Sequence, residues 1–342
     1  MSEKTAATKV IKCSYCDEPA VTIIRYAKLR LCKKHFTEFI VRKVRRSIER
    51  YRLIESGWRV LVAVSGGKDS NSLLHILAKL SKEMNFEIIA LHIDLGIGEY
   101  SKKSREAVEK LCKSLGVPLI IVDLRELIGA GLPDIVARTR RPACSVCGLI
   151  KRYIINVVGV ELGADVVALG HHLDDLLPYI FKNFILQNLG EISKLGPRTE
   201  SDEGLVGRIR PLYEVLESEI MLYTTLESIP VVNETCPLSI KRRSLESEVR
   251  DFLERLESRS PGFKIGFARS IARNIDFYRR GLANSKPLRR CAYCGMPTSE
   301  DVCAFCKLTE RTLGKPMGPI VREKVRETIA RLGLVRKSEA SN

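Results

Sequence analysis

Apolar residues fall along this chain in two alternating styles. Arg59-Val-Leu-Val-Ala-Val64 and Glu87-Ile-Ile-Ala-Leu-His-Ile-Asp94 are short, nearly unbroken apolar runs, and Pro118-Leu-Ile-Ile-Val-Asp123 and Asp165-Val-Val-Ala-Leu-Gly170 repeat the form. Such runs read as strands buried on both faces. Between them lie Ser70–Met84, Ser101–Leu115 and Cys147–Leu162, with helical spacing, and Gly116 and Gly163 stand where helix-ending glycines belong. The alternation predicts right-handed crossovers and an α/β fold with a parallel, doubly wound sheet. Ile229-Pro-Val-Val-Asn233 is expected to supply its last strand. After Pro237 the pattern turns charged, and Ser244–Leu256, Phe267–Leu282 and a Lys/Arg-rich Ile320–Leu332 read as helices before a polar tail. His75, spaced among leucines, and Cys112, within a helical pattern, are expected to pack rather than to react.

At 342 residues, 45% hydrophobic and 29% charged, the chain has room for about two globular domains. Met1–Lys12 has no signal-type apolar core, and no apolar run approaches the roughly 20 residues of a membrane helix. A cytoplasmic protein with no membrane partner is expected. Lys and Arg number 57 against 41 acids, a net +16, which suits a polyanion such as nucleic acid. A merely solvated basic surface is the plainer alternative.

Eleven cysteines matter more than the charge. Disulfides seldom persist in the cytosol, so metal binding is the first reading. Cys13-x2-Cys16 with Cys32-x2-His35, and Cys291-x2-Cys294 with Cys303-x2-Cys306, each offer the four ligands of a tetrahedral Zn²⁺. A closed four-ligand site leaves no room for substrate, so both are expected to be structural, as two Zn²⁺ modules.

The densest chemistry lies in Ser65-Gly66-Gly67-Lys68-Asp69-Ser70, between the first strand and its helix. The glycines let successive N–H groups face one anion, the helix start adds its dipole, and Lys68 adds a charge. The spacing matches neither a Walker A loop nor a dinucleotide fingerprint. It resembles the pyrophosphate (PP) loop of the ATP pyrophosphatase superfamily, whose members split ATP between the α- and β-phosphates.

Three thiols remain: Cys144 and Cys147, set just before a helix, and Cys236 in Asn233-Glu-Thr-Cys-Pro237. One short of a zinc site, they match a [4Fe-4S] cluster with one open iron. A persulfide and disulfide relay between Cys144 and Cys236, or an incomplete metal site, are the alternatives. Lys151 and Arg152 stand one turn further on. In Gly170-His171-His172-Leu173-Asp174-Asp175 the glycine permits close approach, and the acids can hold Mg²⁺ or cap a helix, Asp174 being the candidate cap.

These elements, in this order from residue 13 to about 306, resemble the tRNA 2-thiouridine synthetases of archaea and thermophilic bacteria. Arg141-Pro-Ala-Cys-Ser-Val-Cys-Gly-Leu-Ile-Lys-Arg-Tyr153 is most similar to the branch acting on T-loop uridine 54 rather than wobble uridine 34. His172 departs from that family, which commonly has Asn there. The resemblance implies ATP and Mg²⁺ at Ala63, Ser65–Ser70, His92, Ile93, Asp94, Gly170 and Asp175, and a cluster on Cys144, Cys147 and Cys236. It implies adenylation of the uridine C2 oxygen followed by sulfide attack, with Lys151 and Asp175 as catalytic candidates. A ubiquitin-like thiocarboxylate sulfur carrier and a homodimer are implied partners. The expected division is a zinc finger with basic helix over 1–50, a PP-loop domain over 51–243 and a basic helical extension over 244–286. A zinc ribbon over 287–315 and a helix with polar tail over 316–342 complete it. The zinc modules and basic helices are the expected tRNA platform.

Overall fold

The computed structural model describes residues 10–201, 204–239, 244–280 and 287–336. The start of Met1–Lys12, the end of the Phe267–Leu282 helix, the polar tail and the divisions at 243 and 286 lie outside the described residues.

An antiparallel hairpin, β1 (Thr22–Ile24) and β2 (Leu29–Leu31), leads into α1 (Lys33–Tyr51). Phe36, Ile40, Val44 and Ile48 recur every four residues and bury one stripe of that helix. Then come β3 (Arg59–Val64), α2 (Lys68–Met84), β4 (Glu87–Asp94), α3 (Gly98–Leu115) and β5 (Leu119–Asp123). Two short helices, α4 (Leu124–Ile128) and α5 (Leu132–Ala137), precede α6 (Ala143–Leu162) and β6 (Val166–Ala168). The helices α7 (Leu173–Ile185) and α8 (Leu189–Ser193), the strands β7 (Arg198–Thr199) and β8 (Gly207–Ile209), and α9 (Glu217–Leu226) follow. The remainder is α10 (Leu245–Arg259), α11 (Phe263–Arg273), α12 (Ile275–Arg279), a hairpin of β9 (Arg289–Arg290) and β10 (Pro297–Thr298), α13 (Ala304–Leu313) and α14 (Gly318–Arg331).

The main sheet runs β5-β4-β3-β6-β8-β7, parallel except where β7 opposes β8. Alternation along β3 sorts the two cores. Val60, Val62 and Val64 face α1, α2, α3 and α9, while Leu61 faces the α6, α13 and α14 side with Ile89, Leu91 and Val167. A third cluster joins α7, α10 and α11 around the buried Tyr213. Gly116 and Gly163 end their helices as expected, both left-handed.

Four sequence expectations need correction. Ile229–Asn233 is not a strand; it crosses the PP loop, with the Val232 N–H donating to Gly66 O and Asn71 Nδ2 to Pro230 O. Its place in the sheet goes to β8, whose three residues, with Arg208 in the middle, carry too little apolar pattern to read. The helix expected at Phe267–Leu282 begins at Phe263 and breaks at Asn274, whose side chain donates to Ser270 O and competes with the ladder. Cys144 and Cys147 lie inside α6 rather than before it, because Pro142 (φ −57°) starts the helix at Ala143. Finally, α6 is itself 20 residues long with a mean hydropathy of 1.5, enough by length and composition to cross a membrane. Here it is a core helix, with Val146, Ile150, Ile154 and Val157 fully buried.

Candidate active site

The PP loop turns at the carboxyl end of β3. Gly66 sits at φ +84°, and a Cβ there would meet Ser104 O at 2.8 Å. Ser70 braces the turn by accepting from Ser65 N–H at 3.0 Å and donating to Gly67 O at 3.3 Å. Gly67 is the N-cap of α2, so the free N–H groups of its first turn open onto the loop. Gly170 closes the opposite wall, where a Cβ would lie 2.8 Å from Ser70 N. Lys68 Nζ stands 3.0 Å from Asp69 Oδ1 and 3.0 Å from Glu217 Oε1.

Beside the loop, Ala63, Ser65, His92, Ile93, Tyr100 and Lys151 line one pocket. His92 Nδ1 contacts Val64 O at 3.0 Å, and its buried Nε2 has no partner among the described residues. Burial pulls the His92 pKa down, which keeps the ring neutral and fit to meet a nucleobase edge. Asp94 turns away, its Oδ1 accepting from Gly96 N–H at 2.8 Å.

Asp175, in the first turn of α7, is partly exposed and reaches back to the His172 N–H. His172 is buried and spans the site: its Nε2 lies 3.4 Å from Asp69 Oδ1 and 3.4 Å from Asp175 Oδ2. Asp174 points elsewhere, accepting from the Glu217 N–H at 2.7 Å and from Lys264 Nζ at 2.5 Å. It therefore caps α9 rather than its own helix. Burial pushes its carboxyl up, yet Lys264 and the Glu217 N–H outweigh that and hold it below the ordinary value.

Cys144 is exposed, whereas Cys147 and Cys236 are half-buried. Burial raises the Cys147 thiol first, Lys151 pulls it down, and Cys236 and Cys144 raise it again. Cys236 and Cys144 are thus each in electrostatic reach of Cys147, as is Lys151, which also lines the pocket. The three thiols are not gathered as tightly as the ligands of a single ion; among the described residues only the two terminal sets have all ligand atoms within 4.8 Å.

In the terminal sets the geometry is tight. His35 Nδ1 lies 3.3 to 3.5 Å from Cys32, Cys13 and Cys16 Sγ. Cys16–Cys32 and Cys294–Cys303 sulfurs are 3.7 and 3.8 Å apart. A tetrahedron with metal–sulfur bonds of about 2.3 Å has edges of about 3.8 Å, so each set could hold one ion. His75 and Cys112 pack as expected: His75 Nδ1 meets Tyr223 OH at 2.9 Å, and burial pushes the Cys112 thiol up to about 12.

Glu217, His172 and Tyr100 are neighbours of the site to which sequence reasoning gave no role. Glu217 reaches Lys68 from 149 positions away in the chain, across the α2–α9 contact, and no local pattern marks it. His172 was visible only as a departure from a familiar motif.

A glycine-turned phosphate loop at the carboxyl edge of a parallel sheet defines a PP-loop nucleotide-using protein. Comparison with known proteins agrees: the PP-loop domain model matches residues 37–236, and the model of the N-terminal LIM domain of 2-thiouridine synthetase TtuA matches residues 12–37. The tRNA-5-methyluridine(54) 2-sulfurtransferase of Pyrococcus horikoshii is 39% identical over 297 residues, 87% of this chain and 93% of that one. Its counterpart in Thermus thermophilus is 39% identical over 86% of this chain and 90% of that one. The solved U34-tRNA thiolase NcsA from Methanococcus maripaludis, with its [4Fe-4S] cluster, superposes with a TM-score of 0.70 at 30% identity, covering 90% of this chain and 97% of that one. The chain belongs to the family of tRNA-5-methyluridine(54) 2-sulfurtransferases within the PP-loop proteins.

Proposed function

We propose that this protein is an ATP-dependent enzyme that replaces the C2 oxygen of T-loop uridine 54 in tRNA with sulfur. The observation that carries the reading is a shared wall: Lys151 lines the pocket of Ser65 and His92, and its charge also reaches Cys147. Activation and sulfur delivery thus have one meeting point. Choice of position 54 rests on the names of the relatives at 36 to 39% identity.

The loop N–H groups of Gly66–Lys68 and the Lys68 ammonium hold the triphosphate, and His92 and Ile93 flank the adenosine. The uridine C2 oxygen attacks the α-phosphorus, an O–P bond forms and pyrophosphate leaves. Lys151 stabilises the negative charge gathering on the base and phosphate, and Asp175 binds Mg²⁺ or takes the base N3 proton. Cys144, Cys147 and Cys236 would hold a [4Fe-4S] cluster, which when bound supplies an open iron to present sulfide for attack on C2 with departure of AMP. Both terminal sets would carry structural Zn²⁺. A thiocarboxylate sulfur carrier and a homodimer are supported by the family resemblance alone.

Mass spectrometry of tRNA nucleosides from a strain lacking the protein tests the assignment. Loss of the thiolated T-loop base is expected; loss of a thiolated anticodon base instead moves the target to position 34. Lys151→Ala and Asp175→Ala, folded and cluster-loaded, are expected to lose thiolation by at least about a hundredfold. Wild-type rates in both would remove them from the mechanism.

A further inference from the structure

Outside the site just described, the arginines facing one flank of α6 stand apart from the other charges. Arg208, in the middle of β8, sends Nη2 to Asn156 Oδ1 of α6 at 3.1 Å. No carboxylate meets it among the described residues. It lies beside an open depression of about 640 Å³, whose other charged residues all have counter-ions. Lys194 pairs with Glu191 at 2.6 Å, Glu200 with Arg198 at 3.0 Å and Arg279 with Asp276 at 3.0 Å.

One turn before Asn156 on the same helix stands Arg152, exposed and within electrostatic reach of both Arg208 and Cys147. At the other end, His171 is within reach of Arg208, Arg210 and Asp175. Arg210 is buried and committed to the carbonyls of Gly196 and Lys194, so it adds field but no free fork. The result is a cationic wall from the cysteine-bearing turn of α6 to Asp175, with two guanidiniums that no acid pairs among the described residues. Burial first, and Arg152 second, pull the Arg208 pKa below its ordinary value, the mark of a cation short of counter-charge. Holding like charges together costs stability, and an anion between them removes that cost. Planar forks suit the paired oxygens of a phosphate.

We propose that Arg152 and Arg208 form a phosphate subsite that grips a phosphodiester of the substrate tRNA beside the reacting base. The proposal rests on the functional reading above and deepens it: the wall orients the RNA so that the base enters between Cys147 and Asp175. The same chemistry could serve the phosphates of ATP, so the test separates the two sources.

Arg208→Gln, Arg208→Lys and Arg152→Gln are compared with the parent as full-length, metal-loaded proteins. tRNA affinity is measured over a salt series and ATP affinity is measured without tRNA. Each Gln variant is expected to bind tRNA roughly tenfold more weakly, with the slope of log K against log salt shallower by about one, and to keep its ATP affinity. Arg208→Lys should keep the slope and recover only part of the affinity, because it restores charge without the fork. Parental tRNA affinity and slope in the Gln variants overturn the subsite, as does a loss confined to ATP. Arg152 is exposed, so its variant decides the matter even where Arg208→Gln misfolds. A parent that ignores tRNA brings down the functional reading as well, whereas a binding parent with indifferent variants brings down the subsite alone.

Discussion

The two four-ligand sets, three Cys with one His and four Cys, sit at different depths in the protein. The C-terminal set is sunk in the protein: Cys291, Cys294, Cys303 and Cys306 are all buried and belong to the core on the α6 side of the sheet. Tyr153 of α6 stacks on Phe305 at 3.9 Å with the rings 3° from parallel, and its OH donates to Gly318 O at 3.2 Å. Since α6 also carries Cys144, Cys147 and Lys151, this module props the helix on which the proposed chemistry depends. The N-terminal set is only half sunk: Cys13 and Cys32 are buried in the core on the α1 side of the sheet, Cys16 is exposed, and Tyr15 lies beside His35 at 5.4 Å; buried charge adds to the packing there. Lys43 Nζ meets Glu219 Oε2 at 2.7 Å with both groups nearly buried, and Tyr26 OH donates to the same carboxylate at 2.5 Å. Arg50, Tyr51 and Arg269 converge on Glu214 in the same way. One module thus packs against α6, whereas the other packs on the opposite side of the sheet, where Tyr26 of its hairpin and Lys43 of α1 also meet the buried Glu219 of α9.

This contrast predicts a ranked series. Cys306→Ser should do most, because it opens a buried metal set inside the core; folded protein should be lost, together with the absorption of any cluster on α6. Cys16→Ser should leave that absorption in place, and equal loss from both would erase the distinction. Glu219→Ala strands the buried Lys43 and should cost about 3 to 5 kcal/mol in urea denaturation, much of it recovered by Lys43→Met in the same chain. Gly318→Ala pushes a Cβ to 2.5 Å from Cys306 Sγ and 2.8 Å from Tyr153 OH, and should cost roughly 1 to 3 kcal/mol while weakening thiolation. Tyr153→Phe keeps the stacking and loses one hydrogen bond, about 1 kcal/mol.

The smallest effect is on acid sensitivity. Burial pushes the Glu214 carboxyl up, but Arg269, Tyr51 and Arg50 outweigh it, so its pKa is lowered in the folded state. Its stabilisation is complete above the ordinary carboxylate range and is lost as pH falls through the lowered value. Melting temperature followed from roughly pH 7 to 3 should therefore fall less steeply in Glu214→Gln than in the parent. An unchanged slope would remove Glu214 from the docking of α1.

Local signals carried much of this structure. The strands β3, β4, β5 and β6 announce themselves because parallel strands buried on both faces read as apolar runs. The loop of Ser65–Ser70 is legible because six consecutive residues build it, and both metal sets are legible because each half sits within four residues. β8 was invisible: three residues centred on an arginine look like a loop until β6 offers its edge. Ile229–Asn233 misled for the converse reason, being apolar enough for a strand yet spent on covering the PP loop.

From the chain alone came the family, the phosphate loop, the two ligand sets and a sheet of parallel strands, since each depends on residues adjacent in sequence or on a repeated period. Folding alone decided that Cys236 comes into reach of Cys147, that Glu217 crosses from α9 to hold Lys68, and that Arg208 faces Asn156 of α6. Those pairings join segments dozens of residues apart, and only the packing of helices on a twisted sheet brings such segments to one rim.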